Sequence, residues 1–320
     1  MNFVLGVGTG NGLFLLGPTS DGEWRVLSQA LVGKAVSCIS VDTSGIVYAG
    51  VLNGPLYRTR DLERWEPLYD GITHPSIRSL ALDRNDPKQI WCGTQPAGLF
   101  HSSDSGTTFR QMRSLNQVAS SNQWSSSVPP YQPRIQKVVL HPNNSDIVLV
   151  AVNKGGLYAS SDAGLTWHER GTGLGKDVQD FSTHRESPAR IYAVTSVGFY
   201  RSDDFGGNWS HLIKGLPYTW ATRLVCIPED PNVVMMGVHR SPSGGGSIFR
   251  SRNGGESWEV CPAQMPFQPQ HKISAMGAGS GSVVVGTDGG DLFATYDFGK
   301  SWNRIKARLS SVHSVCVIQR

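Results

Sequence analysis

A short phrase of Ser or Thr, Asp, Gly and an aromatic residue recurs along the whole chain. The best copies occupy residues 102–109, 160–167, 202–209, 251–258 and 295–302, and weaker copies occupy 20–24 and 59–65. Their closing aromatic residues are Trp24, Trp65, Phe109, Trp167, Trp209, Trp258 and Trp302, so the spacing averages about 46 residues. That period is the length of one four-stranded blade, and seven copies predict an all-β fold, a seven-bladed β-propeller.

Each copy lies between two short strand segments, which predicts a hairpin turn. The Asp side chain accepts hydrogen bonds from nearby amides, the Gly permits a positive φ, and the aromatic ring covers the hairpin. The inner strands of the blades are predicted at 36–41, 77–82, 135–140, 178–183, 222–227, 273–278 and 312–317. Only two strands precede the first copy, so we expect the C-terminal strand 312–318 to complete blade one in a 3+1 closure. Residues 1–320 then form a single domain.

Composition restricts the classes of function. The chain has five Cys residues, all inside apolar strand segments, which indicates buried thiols in a reducing compartment. It begins directly with a strand and contains no run of 18 apolar residues, so we expect a soluble, cytoplasmic protein that does not enter a membrane. A net charge of only +4, without a basic stripe interleaved with aromatic residues, argues against nucleic-acid binding. We expect a monomer that carries no cofactor.

One loop is much longer than its equivalents in the other blades. From Phe109 to the next inner strand at Ile135 is 26 residues, against 10 to 15 elsewhere. The insertion 116–132 contains Trp124, Tyr131 and several Pro residues, so we expect a semi-rigid aromatic loop over the mouth of the propeller. The alternative is a segment that only packs. Residues 264–271 and 239–246 form two further variable loops on the same face, where binding groups are usually carried.

Charge on this face is biased towards cations. The positive residues assigned to it are Lys34, Arg78, Arg134, Lys154, Lys176, Arg223, Arg240, Lys272 and Arg308, and the negative ones are Asp70, Asp177, Asp180 and Asp288. Such a surface favours anions. Arg78 and Arg223 occupy the same slot of two inner strands, so we expect both to point inward. The alternative is a solvated rim of charge.

Four histidines map to the same face: His74, His239, His271 and His313. Converging histidines supply a general base or a metal site. No local ligand spacing such as HxxxH occurs, so no metal is assigned.

The repeated phrase resembles the BNR or Asp-box repeats of sialidases, xyloglucanases, sortilin-type receptors and photosystem II assembly-factor propellers, over essentially the whole chain. A sialidase would use an arginine triad, for which Arg78, Arg134 and Arg223 are the candidates, with Tyr131 or Tyr218 beside them; the Arg-Ile-Pro segment of that family does not occur. A xyloglucanase would use two opposed carboxylates, for which Asp177 or Asp180 against Asp288 is the candidate pairing.

Two hypotheses about function follow. The first is a ligand-binding or assembly propeller whose mouth holds an anionic small molecule, an acidic sugar or an acidic protein segment. Its candidate ligand-binding residues are Arg78, Arg134, Arg223, Lys272, Trp124, Tyr131, Trp220, His74, His239, His271 and His313. The alternative is a glycoside hydrolase, a lyase or another small-molecule enzyme that uses the same mouth. Its candidate catalytic residues are Asp177, Asp180, Asp288, His313 and Tyr131.

Overall fold

The computed structural model describes residues 3–19, 23–126, 129–242, 244–261, 271–279 and 281–319. The strands are β1 (Phe3–Thr9), β2 (Gly12–Pro18), β3 (Trp24–Ala30), β4 (Val36–Val41), β5 (Val47–Val51), β6 (Leu56–Thr59), β7 (Glu66–Leu68), β8 (Ser76–Leu82), β9 (Ile90–Gln95), β10 (Leu99–Ser102), β11 (Arg110–Gln111), β12 (Ile135–His141), β13 (Asn144–Val152), β14 (Gly156–Ser160), β15 (His168–Glu169), β16 (Val178–His184), β17 (Ser187–Thr195), β18 (Gly198–Ser202), β19 (Ser210–His211), β20 (Trp220–Ile227), β21 (Asp230–Ser241), β22 (Gly244–Ser251), β23 (Glu259–Val260), β24 (Ile273–Gly279), β25 (Ser282–Thr287), β26 (Leu292–Thr295), β27 (Asn303–Ile305) and β28 (Val312–Gln319). Two short 3₁₀ helices span Arg113–Gln117 and Ser121–Gln123. In the described part of the chain, no helix has the length and apolar character needed to cross a membrane.

The strands form seven four-stranded sheets, which is the arrangement of a seven-bladed β-propeller. Their orders are β28-β1-β2-β3, β4-β5-β6-β7, β8-β9-β10-β11, β12-β13-β14-β15, β16-β17-β18-β19, β20-β21-β22-β23 and β24-β25-β26-β27. The predicted fold class is therefore confirmed. The seven predicted inner strands are β4, β8, β12, β16, β20, β24 and β28, and each agrees with its predicted bounds to within two residues.

The C-terminal strand completes the first sheet, as the sequence predicts. Strand β28 pairs antiparallel with β1 from Phe3 opposite Gln319 to Thr9 opposite Val312. Val312 and Ile318 are buried, at 0% and 3% exposure. The first sheet therefore combines one strand from the C-terminal part of the chain with three from the N-terminal part.

The chain divides into two compact units. Unit 1 comprises Met1–Ile39, Val194–Arg201 and His211–Arg320, and unit 2 comprises Ser40–Ala193 and Ser202–Ser210. In unit 1, one apolar cluster includes Leu5, Val284 and Val312. In unit 2, a cluster of aromatic and branched residues includes Trp91 and Tyr158. Each unit thus has its own apolar core.

The five best copies of the repeated turn follow one hydrogen-bonding scheme. In the copy at 160–167, the Asp162 carboxylate accepts the Thr166 backbone N–H at 2.8 Å and the Thr166 hydroxyl at 2.6 Å. The Ser160 hydroxyl donates to Asp162 at 2.7 Å and accepts the Gly164 N–H at 2.8 Å. Gly164 has a φ of +83°, and a Cβ placed there would lie 3.0 Å from the Trp91 ring. The turn therefore requires glycine for both its conformation and its close packing.

These hydrogen bonds predict a dependence of stability on acid. Hydrogen bonds from the hydroxyl and backbone of Thr166 lower the pKa of Asp162 to about 2. An unfolded Asp has a pKa of about 3.9, so this carboxylate stabilises the fold fully above that pH and loses its contribution as the pH falls towards 2.

We expect Asp162→Asn to make the melting temperature less sensitive to pH between about 4 and 2. Asn is compatible with the turn, because Asn253 accepts the Ser257 N–H at 3.1 Å in another copy. Thermal melts across this pH range measure the slope, with Asp70→Asn as the control outside these turns. An unchanged slope in Asp162→Asn would contradict the role of this carboxylate.

Candidate functional site

Arg223 lies on β20 in unit 1, and two backbone carbonyls fix its guanidinium group. Its Nε donates to the Ser274 oxygen at 2.8 Å, and its Nη1 donates to the Thr222 oxygen at 2.8 Å. Within the described residues no carboxylate pairs with Arg223, and no hydrogen bond uses its Nη2. The side chain is therefore oriented while its positive charge is not neutralised by an ion pair.

Other arginines of unit 1 are used differently. Arg201 pairs with Glu256 at 2.8 Å, and Arg250 pairs with Glu259 at 2.6 Å. These pairs tie strands to the repeated turns and their neighbours, and each carries its own counter-ion. Arg223 differs because neutral carbonyls, not a carboxylate, hold it in place.

His239 contacts the strand that carries Arg223, through a hydrogen bond with Thr222. Its Nε2 lies 2.9 Å from the Thr222 hydroxyl, which donates its own proton to the Ile273 carbonyl at 3.0 Å. A hydroxyl has only one proton to donate, so His239 Nε2 carries the proton of this hydrogen bond and Nδ1 is the unprotonated nitrogen. The Thr222 hydroxyl therefore links His239 to the Ile273 carbonyl, and the neighbouring Ser274 and Thr222 itself supply the two carbonyls that accept from Arg223.

His239 is neutral at ordinary pH. Its side chain has 0% exposure. Burial, with a smaller contribution from the charges of Lys272 and Arg223, lowers its pKa to about 4, and Asp288 acts in the opposite direction. The sequence placed His239 in a loop as a ligand contact. It lies instead inside strand β21 opposite Trp220, because β21 and β22 pair beyond His239, as far as Ser241 opposite Gly244.

Lys272 and Asp288 are joined through the backbone beside this histidine. The Lys272 N–H donates to the Asp288 carboxylate at 2.7 Å, and the Asp288 N–H donates to the Lys272 carbonyl at 3.0 Å. Within the described residues the Lys272 ammonium forms no ion pair. Two cations, Arg223 and Lys272, thus act on His239 together with one carboxylate, Asp288. This balance favours an anion.

The remaining unit 1 candidates have separate surroundings. His271 Nδ1 lies 3.3 Å from the Asp291 carboxylate. Trp220 is partly buried on β20, and His313 lies on β28 near Gly10. The rest of the predicted loop 264–271 lies outside the described residues.

In unit 2, glutamine side chains hold Arg78 and Arg134. Arg78 Nη2 donates to Gln95 Oε1, and Arg134 Nε donates to Gln136 Oε1 at 2.9 Å. Gln95 in turn donates to the Gln132 carbonyl at 3.1 Å. These two arginines therefore belong to polar side-chain networks.

The long insertion in unit 2 packs inward through its tryptophan. Trp124 is 8% exposed, and its Nε1 donates to the Tyr158 hydroxyl at 2.9 Å. It belongs to the same apolar cluster as Leu115 and Val152. Trp124 is a predicted ligand contact, and the structure places its ring in the core. Tyr131 is 66% exposed with a φ of +61°, and residues 127–128 lie outside the described part.

His74 lines a pocket of about 250 Å³ in unit 2 together with Asn53, Tyr69 and Thr73. Its Nδ1 lies 2.9 Å from the Thr94 hydroxyl and 3.0 Å from the Pro96 carbonyl. A carbonyl only accepts, so Nδ1 carries the proton. Tyr69 is 72% exposed at the edge of this pocket.

The carboxylates proposed for catalysis form ion pairs or accept hydrogen bonds within the protein. Asp180 is 6% exposed and pairs with Lys137 at 2.5 Å. Asp177 accepts the Gln179 side-chain amide at 2.7 Å, and Asp288 accepts the Lys272 backbone. Among the residues that the structure describes, no three His, Cys, Asp or Glu side chains are grouped so as to hold a metal ion.

The backbone groups that hold Arg223 could not be identified from residue types. Every residue has a backbone carbonyl, so the sequence does not single out those of Thr222 and Ser274. Only the packing of the strands brings these two carbonyls to one guanidinium group. The one usable signal was the shared slot of Arg78 and Arg223 on two inner strands.

Comparison with known proteins extends these observations. An oligoxyloglucan-reducing end-specific xyloglucanase of Emericella nidulans is 23% identical over 340 residues, which cover 92% of this chain and 39% of the enzyme. The chain spans well under two thirds of the length of the xyloglucanases that it matches.

Two solved structures illustrate the likeness in fold. The GH74 xyloglucanase from Xanthomonas campestris superposes with a TM-score of 0.66 at 16% identity, covering 85% of this chain and 45% of the enzyme. YCF48 from Cyanidioschyzon merolae superposes with a TM-score of 0.59 at 15% identity, covering 85% of this chain and 84% of that protein. At these identities the likeness concerns the fold alone.

A family match covers more than half of the chain. Residues 99–312 match the DUF6242 beta propeller domain. This range includes the candidate anion-binding residues Arg223 and Lys272. The chain therefore belongs to the family of DUF6242 beta propeller domains.

Proposed function

We propose that this protein is a binding propeller that holds a carboxylate of its ligand on Arg223, with Lys272 alongside. The observation that carries the proposal is the hydrogen bonding of Arg223: two backbone carbonyls orient the guanidinium group, and no carboxylate of the described residues neutralises it. An arginine that is already oriented loses little freedom when an anion binds.

His239 contributes as a positioning residue. It is buried and neutral, so it adds no charge to the site. Its hydrogen bond to Thr222 fixes the strand that supplies one of the two carbonyls to Arg223. The ligand is thus held by charge at Arg223 and Lys272.

A glycoside hydrolase is the second candidate, and the similarity to xyloglucanases favours it. Hydrolysis needs a carboxylic acid and a carboxylate on opposite sides of the scissile bond. Asp180 is buried in an ion pair, and Asp177 and Asp288 accept hydrogen bonds from nearby amides. The binding function is therefore preferred.

We further assign the repeated turns to the Asp-box class. A Ser or Thr, the Asp, the Gly and a Thr, Ser or Asn make the same hydrogen bonds at Asp104, Asp162, Asp204 and Asp297. Because the polar groups of these side chains are hydrogen-bonded within the turn, we assign the turns a structural role. The proposed ligand site is therefore at Arg223.

Removing the Arg223 side chain tests the proposal. The probes are trigalacturonate, an acidic sugar, and a tetraglutamate peptide. A charge-assisted hydrogen bond contributes about 1.5 to 3 kcal/mol, so Arg223→Ala should weaken binding of the recognised probe by about ten- to a hundredfold. Isothermal titration measures the affinity, and Arg64→Ala is the matched control because Arg64 is an exposed arginine of unit 2.

The proposal also predicts a dependence on salt. Partly exposed charges are screened over about 8 to 10 Å, so wild-type affinity should fall as salt is added, and the decrease should be smaller in Arg223→Ala. Equal affinities of wild type and Arg223→Ala for both probes would place the site elsewhere. Release of reducing sugar from xyloglucan by the wild type would instead favour the hydrolase.

A further inference from the structure

Unit 1 carries a second cationic site, beyond the proposed function at Arg223. A pocket of about 300 Å³ lies where the outermost strand of the sheet β24-β25-β26-β27 ends. Its lining residues are Asp291, Arg304, Ile305, Lys306, Ala307 and Arg308. Three of these six residues are cations and one is an acid.

Asp291, the only acid among these lining residues, already forms an ion pair. The Asp291 carboxylate is 10% exposed and accepts Arg304 Nη2 at 2.6 Å, and its other oxygen lies 3.3 Å from His271 Nδ1. Within the described residues, Lys306 and Arg308 form no ion pair. The lining therefore has two more positive than negative side chains, and the two cations without an ion pair, Lys306 and Arg308, are separated by one residue.

The walls of the pocket are held by the fold. Arg304 pairs with Phe293 across strands β26 and β27, and Ile305 is 3% exposed. On the other side, Gly290 has a φ of +91°, and a Cβ placed there would lie 2.2 Å from the Leu309 carbonyl. The turn before β26 thus packs tightly against the segment that follows Arg308. The cations are carried by a segment that is fixed at both ends.

We propose that this pocket binds a phosphate group, either free or as a monoester. Such a group carries a charge of about −1.5 to −2 near neutral pH, which matches the two uncompensated cations. Arg and Lys are the side chains that bind phosphate oxygens, Arg through two parallel N–H donors and Lys as a point charge. The volume leaves room for the group and part of the molecule that carries it.

The source of the phosphate is distinguished by three probes: inorganic phosphate, glucose 6-phosphate and phosphoserine. Titration calorimetry with the full chain should give saturable binding for at least one of them. The preferred probe identifies whether the pocket recognises the free ion, a sugar phosphate or a phosphorylated side chain.

The double variant Lys306→Gln with Arg308→Gln should weaken this binding by at least about tenfold, because two charge-assisted contacts are lost. The control is Arg64→Gln with Lys300→Gln, which removes the same net charge from exposed positions outside the pocket. We expect the control to change the affinity by less than about threefold, since distant exposed charges are screened. If the double variant is poorly folded, the single variants Lys306→Gln and Arg308→Gln repeat the test, and each should weaken binding less than the double variant.

Three outcomes would overturn the proposal. Saturable binding of none of the probes would remove the site. An equal loss in the two double variants would show that overall charge attracts phosphate without a pocket. Loss of phosphate binding in Arg223→Ala would assign it to the Arg223 site. Because the carboxylate probes test Arg223 separately, failure of either proposal leaves the other measurable.

Discussion

Deletion of residues 311–320 is expected to unfold the protein. The deletion removes β28, which pairs with β1 over its whole length and contributes Val312 and Ile318 to the buried core. Val315 and Val317 pack against the same apolar cluster of unit 1. Burial of one such side chain contributes about 1.5 to 3 kcal/mol, and a domain is stable by only about 5 to 15 kcal/mol. The edge of β1 would also be left open to aggregation.

Thermal unfolding and size-exclusion chromatography of the truncated chain measure this effect. A synthetic peptide of residues 311–320, added in trans, is the positive control, because it restores the missing strand without other changes. We expect partial recovery of the melting transition when it is present. A truncated protein that is soluble and melts at the wild-type temperature would contradict the 3+1 closure.

Trp167→Ala should lower the free energy of unfolding by about 3 to 5 kcal/mol, the usual range for replacing a buried aromatic residue by Ala. The ring is 8% exposed and belongs to the apolar cluster of unit 2 that contains Trp91 and Tyr158. Its Nε1 lies 3.2 Å from both the Gly164 carbonyl and the Ser114 hydroxyl. The substitution therefore leaves a cavity and frees two hydrogen-bonding groups.

Denaturant unfolding gives the change in free energy, and Trp167→Phe serves as the matched control. Phe keeps most of the apolar contact and loses the indole N–H, so it should be destabilised less than Ala. Binding at Arg223 should change only to the extent that folding changes. A Trp167→Ala variant of normal stability with weakened ligand binding would show that the repeated turns have a direct role in function.

The repeat explains why the fold is predictable from the sequence. Most copies of the turn use an Asp or Asn, a Gly and an aromatic residue for local reasons, so the copies stay recognisable, and their positions set the phase of every strand. The closure by β28 follows from the same phase, because only two strands precede the first turn. The positions of the local turns thus allow the pairing of Phe3 with Gln319, at opposite ends of the sequence, to be predicted.

The candidate site was less predictable, because it depends on tertiary contacts. Trp124 lies in a Pro-containing insertion that is typical of an exposed loop, but it fills a gap in the core beside Tyr158. His239 lies in the paired part of the β21–β22 hairpin, and the sequence does not show how far that pairing extends. Arg223 was identified as a cation on an inner strand. The orientation of its guanidinium group depends on the Thr222 and Ser274 backbone carbonyls, which the sequence does not single out.

The central claim is that Arg223 holds a carboxylate of the ligand. The most direct measurement is a crystal structure of the wild-type protein soaked with trigalacturonate or, if titration favours it, tetraglutamate. The proposed function predicts a carboxylate oxygen at about 2.7 to 2.9 Å from Arg223 Nη2, with Lys272 on the same anion. A bound probe whose carboxylates contact neither Arg223 nor Lys272 would contradict it.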